Sequence, residues 1–105
     1  MAEVTPECLD PGACLTYPTV NAVLKGRVEI SGTANIDNFD HYKFEYRREG
    51  AIEWAFVERF EEPVVDGFLG IWDTPNLSGD YWFRLEVVKI DGNYKRCEVQ
   101  VTIAP

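Results

Sequence analysis

The residues that could carry catalysis are few and scattered in this sequence. His41 is the only histidine, and it stands beside Asp40 at the start of a predicted strand. Because neighbouring residues of a strand point to opposite faces, Asp40 is badly placed to orient the imidazole. Ser31, Ser78 and Cys14 lack the Gly-x-Ser-x-Gly turn that presents a nucleophilic serine, and none has a partner nearby in the sequence. We therefore predict that this chain is not an enzyme.

Carboxylate and amide side chains cluster in two predicted turns. Asp37, Asn38 and Asp40 share one loop, and Asp91 and Asn93 lie in a turn that a β-sandwich would place at the same end. Oxygen ligands from two adjacent loops suit calcium. Asp and Asn are also the ordinary turn-forming residues, and we favour that interpretation. We expect no metal and no cofactor.

A binding surface is predicted around Trp82. Alternation along its strand turns Tyr81 inward, and it turns Trp82 and Arg84 outward. Lys43 and Arg47 lie on the outward side of another predicted strand. An outward Trp among polar groups suits stacking on a sugar ring or anchoring a protein partner. The alternative, which we favour, is that Trp82 lies over neighbouring cations and aliphatic stems and only covers the sheet.

Length and composition restrict the chain to one globular domain. The hydrophobic fraction of 46% is enough for a packed core. A chain of 105 residues is too short for a second core. The formal charge of −8 disfavours nucleic acid and anionic membrane surfaces as partners. No stretch approaches the ~20 apolar residues of a membrane-spanning helix, so we expect no membrane insertion.

Alternating hydrophobic segments predict the fold. We expect strands at 15–17, 25–34, 41–48, 53–60, 68–72, 81–88 and 97–103. No segment keeps a helical period, and turn residues separate the strands at intervals typical of all-β sandwiches. The sequence therefore predicts a seven-stranded antiparallel immunoglobulin-like, or fibronectin-type-III-like, β-sandwich over residues 15–105. Residues 1–14 form an extended N-terminal segment in this prediction.

Two aromatic features favour a sandwich over a barrel. The segment 77–81 has the form of a tyrosine corner, in which the Tyr81 hydroxyl bonds back to the upstream backbone. We expect Trp72 in the core, against this corner, and we place Trp54 in the core as well.

Several segments together are similar to a known group of domains. They are Gly32-Thr33-Ala34-Asn35-Ile36, Tyr42-Lys43-Phe44-Glu45-Tyr46, Trp72-Asp73-Thr74, Gly79-Asp80-Tyr81 and Asp91-Gly92-Asn93. Over roughly residues 14–103 the chain resembles bacterial immunoglobulin-like accessory domains. These are appended to secreted proteases and to cell-wall enzymes such as penicillin-binding peptidoglycan glycosyltransferases, notably in Chloroflexi-type bacteria. The resemblance implies a non-catalytic, extracytoplasmic module.

The three cysteines bear on the same expectation. Cys8 and Cys97 stand where the resembled domains carry cysteines, whereas Cys14 does not. Strand parity turns Cys97 inward and Cys14 outward. We predict a Cys8–Cys97 disulfide, with Cys14–Cys97 next and Cys8–Cys14 third, and hence an oxidising compartment.

The sequence leaves two functions open. We expect a spacer that positions neighbouring domains of a longer secreted or cell-wall-associated polypeptide, since no apolar leader follows Met1. The alternative is an adhesion module that binds cell-wall glycan or a protein partner through the Trp82 face.

Overall fold

The computed structural model describes residues 11–74 and 76–104, and within these ranges it contains β-strands and no helix. The strands are β1 (Ala13–Tyr17), β2 (Ala22–Leu24), β3 (Arg27–Ala34), β4 (Phe39–Arg48), β5 (Ala55–Phe60), β6 (Val64–Asp73), β7 (Gly79–Lys89) and β8 (Tyr94–Ile103). The all-β class is confirmed. The predicted number of strands, seven, is corrected to eight. The additional strand is β2, whose three residues are too few to show an alternation in the sequence.

The strands form two sheets in a sandwich-like arrangement. The three-stranded sheet has the order β1-β3-β6, and the five-stranded sheet has the order β2-β8-β7-β4-β5. The β2–β8 ladder is parallel, which corrects the expectation of a wholly antiparallel fold. Pro18 lacks the N–H that would continue the β1 ladder, so the chain leaves the three-stranded sheet there and reaches the other sheet as β2.

Alternating side chains of both sheets fill the space between them. Trp72 of β6 is 1% exposed and stacks on Phe83 of β7 at a ring-centroid distance of 4.7 Å. The predicted inward sets on the last two strands are buried, namely Tyr81, Phe83, Leu85 and Val87 on β7 and Cys97, Val99, Val101 and Ile103 on β8. The period-two pattern therefore located the core correctly on these strands.

Two tyrosine hydroxyls have different partners. The Tyr42 hydroxyl donates to the Leu69 carbonyl at 2.6 Å and so links the two sheets. Burial, with a smaller contribution from the nearby Glu58 charge, raises the pKa of Tyr42 to about 12. Tyr81 is buried as predicted, but its hydroxyl accepts a bond from the Arg48 guanidinium at 3.2 Å. The expected bond to the upstream backbone is thus corrected.

The described chain begins and ends at opposite ends of the sandwich. Ala13 pairs with Ala34, the last residue of β3. Ile103, the last residue of β8, pairs with Leu24, which lies three residues before β3 begins at Arg27. The two ends are therefore separated by the length of β3, about 25 Å for eight extended residues.

Candidate binding face of the five-stranded sheet

The four predicted binding residues lie together on the outer face of the five-stranded sheet. β4 and β7 are antiparallel neighbours, and their register pairs Arg47 with Trp82, and Glu45 with Arg84. Lys43 lies two residues before Glu45 on the same side of β4. We call this surface the Trp82 face. Its residues come from alternate positions of β4, β7 and β8, which is why strand parity could locate them.

Arg84 is the centre of an ion-pair cluster on the Trp82 face. Its Nε donates to the Glu45 carboxylate at 2.7 Å, and the Glu98 carboxylate lies 3.9 Å from Nη1. The Trp54 ring covers the guanidinium at 4.0 Å from the ring centroid. As a result Arg84 is only 9% exposed, although it points away from the core. This guanidinium is already bound by carboxylates and capped by an indole.

The position of Trp54 corrects the prediction that it is a core residue. Trp54 is half-buried on the Trp82 face, just before β5 begins. The pairing between β4 and β5 shifts between Phe44 and Glu45, and this irregularity reverses the parity along β5. Phe60 packs against the core instead, with its ring 5.1 Å from that of Phe44.

Trp82 is half-buried and engaged by neighbouring side chains. Its Nε1 donates to Glu49 Oε1 at 2.8 Å, and the Gln100 amide donates to the same oxygen at 2.9 Å. The Arg47 guanidinium carbon lies 5.8 Å from the Trp82 ring and 5.2 Å from the Trp54 ring. These contacts are those of an indole that covers the sheet.

A second charged group on the same face was not predicted. Lys43 Nζ lies 3.2 Å from Glu86 Oε1, and Arg96 Nε donates to Glu86 Oε2 at 2.7 Å. Burial acts to raise the pKa of Glu86, but the hydrogen bonds from Arg96 and Lys43 hold that pKa below its ordinary value. The sequence signal was present, since Lys43 and Arg96 are each placed directly across from Glu86 once the strands are in register.

His41 and Asp40 do contact each other, contrary to the argument from strand parity. His41 Nδ1 lies 2.6 Å from Asp40 Oδ2. The register of β4 against β7 skips Asp40 between Phe39 and His41, so this residue is an extra, bulged one and alternation fails there. Arg59 Nη2 also lies 3.6 Å from the Asp40 carboxylate, which makes the group an ion-pair cluster at the sheet edge.

The calcium candidates make the contacts of turns. The Asn38 carbonyl accepts from the Ile90 N–H at 2.8 Å, so the two predicted loops do meet at one end. Asp91 accepts from the Asn93 N–H at 2.9 Å, and this bond holds the pKa of Asp91 below its ordinary value. Asp37 is exposed. In the ranges that the structure describes, no three or more His, Cys, Asp or Glu side chains are grouped to hold a metal.

The cysteines are placed as strand parity predicts. Cys97 is 1% exposed and faces the interior, whereas Cys14 lies on β1 opposite Thr33 and is a half-buried free thiol. The alternative Cys14–Cys97 disulfide is therefore wrong, because β1 turns Cys14 away from the core. Cys8 lies outside the described residues, so the Cys8–Cys97 pairing stays a prediction.

Comparison with protein families, curated proteins and solved structures finds no match to this chain. Across the described part of the chain, no helix is long and apolar enough to span a membrane. The contacts of the Trp82 face are those of cations bound to carboxylates and of indoles that cover them.

Proposed function

We propose that this chain is a non-catalytic accessory domain that holds neighbouring domains of a longer extracytoplasmic bacterial protein, secreted or cell-wall-associated, at a fixed separation. The observation that carries this proposal is the position of the two chain ends. Gly12 accepts a hydrogen bond from Asn35 at one end of the sandwich, and Ala104 donates one to Leu24 at the other. When the polypeptide enters a domain at one end and leaves it at the other, the domains on either side are held apart by the length of that domain.

The order of the strands supports the immunoglobulin-like class for this domain. The three-stranded sheet β1-β3-β6 faces the five-stranded sheet β2-β8-β7-β4-β5, and the first strand segment divides between the two sheets. In this proposal β2 is an edge addition to the seven strands that the sequence predicted.

Cross-links within and between the sheets support a stiff spacer. The Tyr42 hydroxyl joins the two sheets through Leu69, and Arg84 joins β7 to β4 through Glu45. Buried bonds of this kind resist relative movement of the strands because each broken bond leaves a polar group desolvated.

A tandem of two copies tests the spacer function. Spin labels on a cysteine at exposed Asn35 of each copy, in a Cys14→Ser background, report the distance between equivalent points. We expect one narrow distance distribution. A matched tandem with a Gly-Ser insertion between the copies should give a broad distribution, because such linkers are flexible. Equally broad distributions in both tandems would contradict the proposal.

The extracytoplasmic location rests on the proposed Cys8–Cys97 disulfide. Cys97 is buried near the start of β8, and the segment that carries Cys8 leads into β1. A loop of about 90 residues would be closed, for which chain-entropy estimates give roughly 4–5 kcal/mol. Mass mapping of non-reduced peptides should recover Cys8 joined to Cys97. Recovery of both as thiols from protein purified in air would remove this support.

The Trp82 face supports a second candidate function, as an adhesion module for cell-wall glycan or a protein partner. Trp54 and Trp82 flank Arg47 on one outward surface, and paired indoles suit sugar rings. Titration with peptidoglycan fragments and a glycan array tests it. Trp82→Ala should abolish binding, whereas Phe68→Ala, at an exposed aromatic of the three-stranded sheet, should not. Equal effects of the two variants would exclude the Trp82 face.

A further inference from the structure

The departure of the chain from the three-stranded sheet leaves part of β3 open. β1 ends with the pair Tyr17–Ser31, and β6 continues beside β3 as far as Arg27. Arg27–Ile30 therefore has a strand on one side only, and no other described residue forms a backbone ladder with its free side. Alternate residues of such a stretch direct their N–H and C=O groups outward, away from the paired strand.

A groove of about 390 Å³ lies where β1 would have continued. Leu24 and Val28, both core residues, lie at its base. Tyr17, 43% exposed, and Val23, 68% exposed, form its walls. We call this groove the β3 notch. Its exposed lining is mostly polar, and it lies beside an open strand edge.

Unpaired charges line the rim of the β3 notch. Within residues 11–74 and 76–104, Lys25 and Arg27 form no ion pair and no side-chain hydrogen bond, although both are exposed in the groove. Glu29 also lines the rim, which leaves a net charge of +1 from these three side chains. The chain as a whole carries −8, and Asp73 lies across from Arg27 on β6 without forming an ion pair with it. Two unpaired cations therefore line this groove on an acidic molecule.

We propose that the β3 notch binds an extended acidic peptide, which adds to β3 as an antiparallel strand in line with β1. Main-chain bonds to the open edge hold the peptide, as in other cases of strand addition. Alternate apolar side chains enter the notch over Leu24 and Val28, and acidic side chains between them reach Lys25 and Arg27. This binding is independent of the spacer function, which needs only the positions of the chain ends.

Amide chemical shifts of the labelled protein, titrated with a capped peptide of alternating Val and Glu, test the proposal. We expect saturable shifts centred on Arg27–Ser31 and Tyr17. The same peptide with N-methyl groups along one edge should lose binding, because it keeps its side chains and cannot form a ladder. A matched peptide with Lys in place of Glu should bind at least about tenfold more weakly, a difference of about 1.4 kcal/mol.

A charge reversal distinguishes a specific site from general attraction. Arg27→Glu should weaken binding about tenfold or more, or about 1.4 kcal/mol. Arg59→Glu, at an exposed cation on the edge strand β5, should leave it unchanged. Unchanged melting temperatures in both variants establish that the fold is kept.

Four results of the peptide titrations would overturn the proposal, and a fifth concerns a different ligand. They are the absence of saturable shifts at any soluble peptide concentration, shifts centred on β5 or β6, undiminished binding of the N-methylated peptide, and equal losses in the Arg27 and Arg59 variants. An acidic oligosaccharide that causes the same shifts would also overturn strand addition. It would show that the groove binds anions in general and does not require a peptide backbone.

Discussion

The Trp82 face and the β3 notch use the same residue types in opposite ways. On the Trp82 face, Arg84 is bound to Glu45 and covered by Trp54. In the notch, Arg27 has no partner among the described side chains, and Tyr17 leaves 43% of its surface exposed. The same pair of residue types, an outward aromatic and an arginine, therefore forms a closed cluster on the Trp82 face and an open surface in the β3 notch.

The difference teaches that residue type alone does not identify a binding surface. The five-stranded sheet places Glu45 across from Arg84, and Glu86 across from Lys43 and Arg96. These three cations are therefore bound to carboxylates before any partner arrives. The three-stranded sheet loses β1 after Tyr17, so β3 has a neighbouring strand only on the β6 side beyond that point, where Arg27 lies across from Asp73 without forming an ion pair. An open surface follows from the interruption of a ladder.

Among the polar contacts, the largest effect is expected at the centre of the Trp82 face. Arg84→Ala leaves Glu45 with only the more distant Lys43, whose Nζ lies 3.8 Å away, and the side chain of Glu45 is only 13% exposed. Removal of one partner of a buried pair typically costs 3–5 kcal/mol, and we expect about 3 kcal/mol for this partly covered one. Urea unfolding measures it. The double variant with Glu45→Ala should lose less than Arg84→Ala alone, and a loss below about 1 kcal/mol in Arg84→Ala would show that the cluster is effectively solvated.

The link between the sheets should have the next largest effect. Tyr42→Phe removes a buried hydroxyl and leaves the Leu69 carbonyl unsatisfied, so we expect a loss of about 1–2 kcal/mol. Tyr81→Phe is the matched control, and it should cost less because Arg48 is exposed and can bond to water. Equal losses in the two variants would contradict this ranking.

The raised pKa of Tyr42 adds a pH dependence to the same pair. Its unionised form is favoured by folding, so its contribution to stability is fully present below the ordinary value of 10.0 and is lost as the pH rises towards about 12. Denaturant midpoints measured across this range should fall less steeply in Tyr42→Phe than in the parent chain. Parallel slopes would show that Tyr42 does not titrate differently on folding.

Alternation along the longer strands could be predicted from the sequence, and with it the core and the Trp82 face. The inward set on β7 and β8 and the outward position of Trp82 follow from the period of two. β2 could not be predicted in this way, because three residues show no period and its parallel partner β8 lies far along the chain.

The errors concentrate at bulges. An extra residue in β4 brought Asp40 against His41, and a shift between β4 and β5 put Trp54 outside the core. A bulge depends on how two strands fit together, so one sequence read strand by strand does not reveal it. The notch was missed for a related reason, since it arises where β1 and β3 stop pairing and no single segment encodes that gap.

Trp82 should contribute less to stability than the buried Trp72. We expect Trp82→Ala to cost about 1 kcal/mol, because the indole is half-buried and its Glu49 partner is exposed. Trp72→Ala should cost about 3–5 kcal/mol, the usual range for a core aromatic. If Trp82→Ala lost as much as Trp72→Ala in denaturant titration, the Trp82 face would be a second core and not a cover.

The smallest effect is expected in the notch, and it is the sharpest test of the comparison. Arg27→Ala removes a guanidinium that has no partner among the described residues, so stability should change by less than about 0.5 kcal/mol. Lys25→Ala should behave alike, because this exposed side chain also has no partner among the described residues. Added salt should change these differences only slightly, since no ion pair is present and the remaining interactions between exposed charges are weak. A loss above about 1 kcal/mol for Arg27→Ala, abolished by salt, would reveal a carboxylate partner in solution. The notch would then be a second closed cluster, and the contrast between the two regions would disappear.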